Sequence, residues 1–370
     1  MKTITLIVSA AFSLAAQAGT FAYVSNAQDG TISSYRIDRA QGTLQPLATT
    51  PAGPLVMPLA QSPDGRHLYA SLYTPPYAVV SYRIDGETGA LDRVATAALP
   101  QNMPYIATDR SGRYLLAASY DGDTISVSPI GPGGVVQGEP LELHKTGRHA
   151  HSIVVDPSNR FAYVALLGAD RLLQLTFDER SGVLTPIGAG FVDAEEGTGP
   201  RHIAPAPNGR FLYVLNELTG SVSTYAIDRS TGALRLLGAV ESAVARRHRL
   251  QKGVIRPGGP LDDTPRVWAA DIKISPDGRF VYATERTTST VSGYRVDPMH
   301  GGLTYLSSLE VEKQPRGIAM DPRGRWLVVT GEKSAEVGLY AIDPDSGALR
   351  RTGAAPAGRG ANWVETVDTD

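Results

Sequence analysis

Residues 206–217 read APNGRFLYVLNE, and the same unit returns as SPDGRHLYASLY (62–73), DRSGRYLLAASY (109–120), DPSNRFAYVALL (156–167), SPDGRFVYATER (275–286) and DPRGRWLVVTGE (321–332). Each copy opens on a turn whose third or fourth residue is Gly or Asn, the types that tolerate positive φ. An arginine follows, then a β-rich run. The matched arginines Arg66, Arg113, Arg160, Arg210, Arg279 and Arg325 lie 47, 47, 50, 69 and 46 residues apart. They recur in every copy, so they read as scaffold. Self-similarity at this period marks a repeat architecture.

Working outward, most units continue with a second run ending in an apolar residue and Asp: SYRID, QLTFD, TYAID, GYRVD and LYAID. A turn such as Ser230-Thr231-Gly232-Ala233-Leu234 leads to a last strand, and a strand such as residues 151–155 or 203–206 precedes the unit. Four antiparallel strands every 40–50 residues or so describe one β-propeller blade. The N-terminal unit has only three strands, at 21–25, 32–38 and 44–49. Residues 361–367 read as extended and can supply its first. The predicted fold is all-β: a seven-bladed β-propeller forming one domain over residues 19–370. The ring closes where N- and C-terminal strands share a blade, which leaves no open sheet edge there. The 69-residue step holds an insertion at about 245–265, with Arg246-Arg247-His248-Arg249 inside it.

Composition agrees with short strands and tight turns, with 39 Gly, 26 Pro and 19% charged residues. The formal charge is −2, which gives no general attraction to nucleic acid or anionic membrane. The absence of cysteine excludes disulfides, thiolate catalysis and Cys-ligated metal. At the N-terminus Lys2 precedes an apolar run over residues 4–16 and then Ala16-Gln17-Ala18. That run is too short to span a bilayer and ends in a small-x-small site, so residues 1–18 read as a signal peptide cleaved after Ala18. A periplasmic protein with no membrane anchor is expected. A ring closed by its own termini needs no partner, so a monomer is expected too.

Propeller geometry brings the starts of first strands and the ends of second strands to one mouth of the central channel. First-strand starts carry His149-Ala150-His151-Ser152, Pro200-Arg201-His202, Trp268-Ala269-Ala270-Asp271, Gln314-Pro315-Arg316 and Asn362-Trp363. Second-strand ends carry Asn26, Tyr73, Tyr120, Asn216-Glu217, Glu285-Arg286 and Glu332-Lys333. Pro58 and Pro104 join the tyrosines across the mouth. Cations, carboxylates, histidines and aromatics thus gather in one funnel of carbohydrate size. His149 and His151 stand His-x-His on one strand and His202 follows far off in sequence, but no third close ligand is evident from the spacing, so no metal or other cofactor is expected.

The stretches HSIVVDPSNR, GTGPRHIAPAPNGRFLYVLNEL, WAADIKISPDGRFVYATERT and QPRGIAMDPRGRWLVVTGEKS resemble the lactonase family of seven-bladed propellers. That family includes propeller-type 6-phosphogluconolactonases, periplasmic gluconolactonases and carboxymuconate cyclases. The resemblance implies His151, Arg201, Glu217 and Arg286 as catalytic residues, and all four stand among the mouth positions. Around them Asn216, Asp271, Glu285, Arg316, Lys333, Trp363 and His202 are expected to bind substrate. The chain departs from cytoplasmic relatives in having Glu285 where many have Asp, in its longer insertion and in its export signal. These departures favour an unphosphorylated lactone.

A lactone is an internal ester. Its hydrolysis needs an activated water, charge stabilisation on the carbonyl oxygen and a proton for the leaving alkoxide. Glu217 or His151 is the expected base, with Arg201 and Arg286 stabilising the oxyanion. No Gly-x-Ser-x-Gly elbow is present. The expected reaction is D-glucono-1,5-lactone to gluconate. The alternatives are a 6-phosphogluconolactonase using Arg316 and Lys333 for phosphate, a carboxymuconate-type cyclase, and a non-catalytic propeller binding a ligand or protein.

Overall fold

The computed structural model describes residues 19–255 and 263–369. The expected signal peptide with its cleavage point after Ala18, and positions 256–262 of the insertion, lie outside the described residues. Seven antiparallel sheets stand in a ring. Their innermost strands, in ring order, are Ala361–Asp368, Val56–Gln61, Tyr105–Thr108, Ala150–Val155, Pro200–Pro205, Ala269–Ile274 and Pro315–Met320, and each touches the next. We number the blades 1 to 7 in that order. In blade 1, Ala361–Asp368 pairs with Thr20–Asn26, followed outward by Thr31–Asp38 and Thr43–Pro51. The termini therefore close the ring as the sequence predicts.

The second strand of a blade is flanked by strands on both sides and by the neighbouring blades on both faces. This explains its apolar runs, such as Phe161–Leu166 and the first five residues of Phe211–Asn216, with both strands buried at every position. Each fully buried Val or Leu there contributes about 1.5–3 kcal/mol. Outer strands such as Leu234–Val240 are mostly exposed.

Blade 3 departs from the four-strand expectation. Its third strand, Thr124–Gly131, pairs outward with two short segments, Glu142–Lys145 and Val135–Val136. Its sequence lacks the terminal apolar-Asp pair that starts the last turn in most other blades. The insertion region contributes the one helix among the described residues, Ala243–His248, capped by Ser242, whose side chain accepts from Ala245 N–H. Among the described residues no helix is long and apolar enough to cross a membrane.

Candidate active site

The mouth is built by a backbone irregularity repeated around the ring. The inner-strand register slips between Ala150 and Ser152, between Pro200 and His202, and between Pro315 and Gly317. Each slip is a β-bulge, which leaves one residue out of the ladder. Those residues are His151, Arg201 and Arg316. Two positions before each stands a residue in the left-handed region: His149 (φ 60°), Gly199 (φ 66°) and Gln314 (φ 59°). Opposite them, the residue just after the second strand donates its N–H to the carbonyl of the inner-strand approach: Glu217 to Gly199 (2.7 Å), Arg286 to Trp268 (3.1 Å) and Glu332 to Gln314 (3.0 Å). Bulge residues and post-strand residues thereby meet at one level.

They line a cavity of about 580 Å³. His151, Arg201, Glu217, Arg286, Arg316 and Glu332 form its polar wall. Tyr73, Tyr120, Pro104, Leu55 and Met57 contribute from blades 2 and 3; Val254, Pro265, Val267 and Trp268 come from the insertion and its exit. Glu217 Oε2 accepts from Arg201 Nε (2.6 Å) and from Arg286 Nη2 (3.0 Å). Arg286 is clamped further by the carbonyls of Trp268 and Ala269 (3.0 Å each) and stacks 3.8 Å over the Trp268 ring. Arg316 Nη1 bonds Glu332 (3.3 Å), whose other oxygen accepts from Gln314 (2.7 Å). Two polar atoms in this wall are buried without a partner, His151 Nδ1 and Arg316 Nε.

Burial dominates the electrostatics. It holds His151 well below the usual imidazole range, helped by the charges of Arg201, His202 and Arg316, so the ring is neutral at pH 7. Burial also pushes Arg286 down to about 9 against the pull of Glu217, and the guanidinium stays charged. For Glu332, burial pushes upward, but Arg316, Arg286 and the Gln314 hydrogen bond outweigh it and hold the carboxyl below its ordinary value. The site therefore presents a neutral imidazole beside fixed cations and an ionised Glu332.

The structure brings His151, Arg201, Glu217, Arg286 and Arg316 together and moves six other expected contacts away from the cavity wall. Asn216 and Glu285 are each one residue too early, and side chains alternate along a strand. Asn216 Nδ2 bonds the hydroxyls of Ser221 and Ser223 (2.9 Å each), as Asn26 bonds Thr31 and Ser33. Glu285 caps its own loop, accepting from the backbone of Trp268 (2.8 Å), Thr287 (3.2 Å) and Thr288 (2.7 Å). Lys333 is one residue too late and exposed.

His202, Asp271 and Trp363 each follow a bulge by one residue or close it, and lie beneath the cavity. There Tyr105, His202 and Trp363 meet with ring centroids 5.1–5.6 Å apart and plug the channel. Trp363 borders a second cavity, at the opposite mouth. Pro58 does not line the first cavity, and the exposed Arg246, Arg247, His248 and Arg249 stand outside it. The insertion meets the mouth through Val254 and Thr264 to Trp268 instead. Glu332, absent from the expected substrate contacts, was legible as the blade 7 counterpart of Glu217 and Arg286. Among the described residues no group of three or more His, Asp or Glu is arranged to hold a metal ion.

The family described as "Lactonase, 7-bladed beta-propeller" matches residues 15–366. The chain belongs to the seven-bladed β-propeller lactonases. It is 36% identical over 348 residues to a 6-phosphogluconolactonase of Pectobacterium carotovorum, covering 94% of this chain and 98% of that one. A 6-phosphogluconolactonase of Serratia proteamaculans is 36% identical over 345 residues, covering 93% and 98%. Among solved structures, a periplasmic gluconolactonase of Pseudomonas aeruginosa superposes with a TM-score of 0.81 at 24% identity, covering 96% of this chain and 100% of that chain; that likeness is one of fold.

Proposed function

We propose that this lactonase hydrolyses a free sugar lactone, D-glucono-1,5-lactone to gluconate, in the periplasm. The observation that carries the reading is Glu217 held between Arg201 and Arg286 beside a neutral His151, all on one cavity wall. The preference for an unphosphorylated substrate rests on Lys2, the apolar run and Ala16-Gln17-Ala18, since phosphorylated sugars are scarce outside the cytoplasm. The 6-phosphate is the second reading. The names of the 36% identical relatives favour it, as does the unpartnered Nε of Arg316.

In this scheme the neutral His151 ring takes the proton of the attacking water as the oxygen–carbon bond forms at the lactone carbonyl. The negative charge that develops on the carbonyl oxygen is met by Arg201 and Arg286, which offer fixed donors and never lose their charge at neutral pH. The ring carbon–oxygen bond then breaks, and His151 returns the proton to the leaving alkoxide. Glu217 engages both guanidiniums through Oε2 and fixes their spacing. The ring contacts of Tyr105, His202 and Trp363 form the floor beneath the cavity.

The test is acid release at constant pH by protein made from the full-length gene, on D-glucono-1,5-lactone and on its 6-phosphate, corrected for spontaneous opening. The proposal expects enzyme-dependent release on both and the higher kcat/KM on the free lactone. A higher value on the 6-phosphate would reverse the substrate order, and no release above background on either would defeat the reading.

A further inference from the structure

From Arg201 in the cavity wall a chain of hydrogen bonds runs downward through His202 and Asp271, which do not line the cavity. Arg201, 1% exposed, commits two of its three guanidinium nitrogens to protein: Nε to Glu217, and Nη1 to both the Ala270 carbonyl and His202 Nε2, the latter at 3.0 Å. A guanidinium can only donate, so His202 Nε2 accepts and the proton of the neutral ring sits on Nδ1. That Nδ1–H points at Asp271 Oδ1, 2.8 Å away. Asp271 is anchored in turn: Oδ1 accepts from Ile272 N–H (2.9 Å), Oδ2 from Ile318 N–H (3.1 Å), and Lys273 Nζ stands 3.7 Å from Oδ2. Blades 5, 6 and 7 are thus joined through one carboxylate. Equivalent bulge-following positions elsewhere hold Ser152, Gly317 and Trp363, so the repeat does not require a His–Asp pair here.

We propose that His202 and Asp271 are positioning residues that orient Arg201, and through it the Glu217 carboxylate, for the reaction at the mouth. His202 acts as an obligatory acceptor for Arg201, and Asp271 sets the tautomer that makes it one. Without Asp271 the ring can carry its proton on Nε2, where it meets a donor. Arg201 then loses a fixed partner 16 residues before Glu217, although every cavity-lining side chain is intact.

The kinetic part of this inference rests on the lactonase reading; the spectroscopic part does not. In the ¹⁵N-labelled protein, His202 is expected as the neutral Nδ1–H tautomer at pH 5. The groups that face it are Arg201, Asp271, Lys273 and His151, together with the Tyr105 and Trp363 rings. Asp271→Asn is expected to shift the ring toward Nε2–H. In lactone hydrolysis, Asp271→Asn and His202→Leu should each lower kcat about 10–100-fold with KM changed less than about threefold. His202→Gln, which keeps one donor and one acceptor, should recover most of the rate and covers the case in which His202→Leu does not fold. A wild-type His202 that is protonated at pH 5, or that carries its proton on Nε2, would overturn the proposal. So would wild-type kcat in Asp271→Asn. If the wild type hydrolyses no lactone, the lactone reading fails and the tautomer alone decides this one.

Discussion

At the rim away from the mouth, the same residues recur from blade to blade; at the mouth, equivalent positions differ. The outer rim carries an Asp–x–x–x–Gly turn in six blades, with the glycine N–H returning to the aspartate carbonyl, as Gly89 to Asp85, Gly232 to Asp228 and Gly347 to Asp343. An aromatic side chain of the preceding blade packs on that glycine. At Gly232 a Cβ would sit 2.2 Å from the Phe161 ring, and its φ is 78°. A tyrosine of the same preceding blade donates to the turn, as Tyr163 to Gly232 and Tyr213 to Gly301. At the mouth, the seven positions after the second strands hold Ala27, Tyr73, Tyr120, Leu167, Glu217, Arg286 and Glu332. The repeat fixes the ring, and the proposed function assigns the chemistry to the exceptions to the repeat.

The hardest blow to the mouth is predicted from Arg201→Leu. It strips Glu217 and His202 of a shared partner and leaves a buried carboxylate facing Arg286 alone. Calorimetry should show about 3–5 kcal/mol lost, with hydrolysis abolished. A loss under about 1 kcal/mol would mean that the mouth is as replaceable as an exposed ion pair.

The rim should behave differently. Gly232→Ala forces a side chain into a left-handed turn and against Phe161, and should cost about 1–3 kcal/mol. The remaining folded protein should keep wild-type kcat and KM. A changed kcat would break the division between the two rims.

Acid sharpens the comparison, because the histidines buried at the mouth resist protonation. Burial, with the Arg201 charge beside it, pushes His202 down to about 3, and His151 also lies well below 6.5. Between those values and 6.5 the unfolded chain binds more protons than the folded one, so stability rises with pH there. Above about 6.5 the contribution is fully present; as pH falls below that it is progressively lost. Melting temperatures should decline from pH 7 to pH 4.5, and His202→Gln should flatten the decline. An equal slope in the variant would remove His202 from the account.

The smallest effect concerns the one blade that breaks the rim pattern. Blade 3 lacks the Asp–x–x–x–Gly turn, and the hydroxyl of Tyr69, facing it from blade 2, is buried without a partner. Tyr213→Phe should cost about 1 kcal/mol, while Tyr69→Phe should be neutral or slightly stabilising. Equal costs in denaturant titrations would mean that the inter-blade hydrogen bond contributes nothing.

The same division explains what could be read in advance. Blade number, strand order and closure followed from turns and apolar runs that repeat, because each unit must bury the same faces. The four resemblance-derived residues and Arg316 also fall where strand ends predict. Choosing between neighbours at a strand end was harder: Asn216 or Glu217, Glu285 or Arg286, Glu332 or Lys333. That choice depends on where the ladder stops, and in six blades the turning point is a backbone hydrogen bond with no sequence mark of its own. The depth of His202, Asp271 and Trp363 was hidden for a related reason. A bulge shifts the next residue from wall to floor, and no residue type announces it. The wall formed by Val254 and Thr264 to Val267 lies in or beside the insertion, which has no counterpart in the other blades and so no repeat position to mark it.

The central claim is that the mouth, and Glu217 within it, performs lactone hydrolysis. It is tested most directly by constant-pH titration of D-glucono-1,5-lactone opening by the wild type and by Glu217→Gln at equal folded concentration. The account predicts a wild-type rate well above spontaneous opening and a fall of about 10²–10³-fold in kcat for the variant, with its melting transition still cooperative. A Glu217→Gln protein that opens the lactone at the wild-type rate would contradict it.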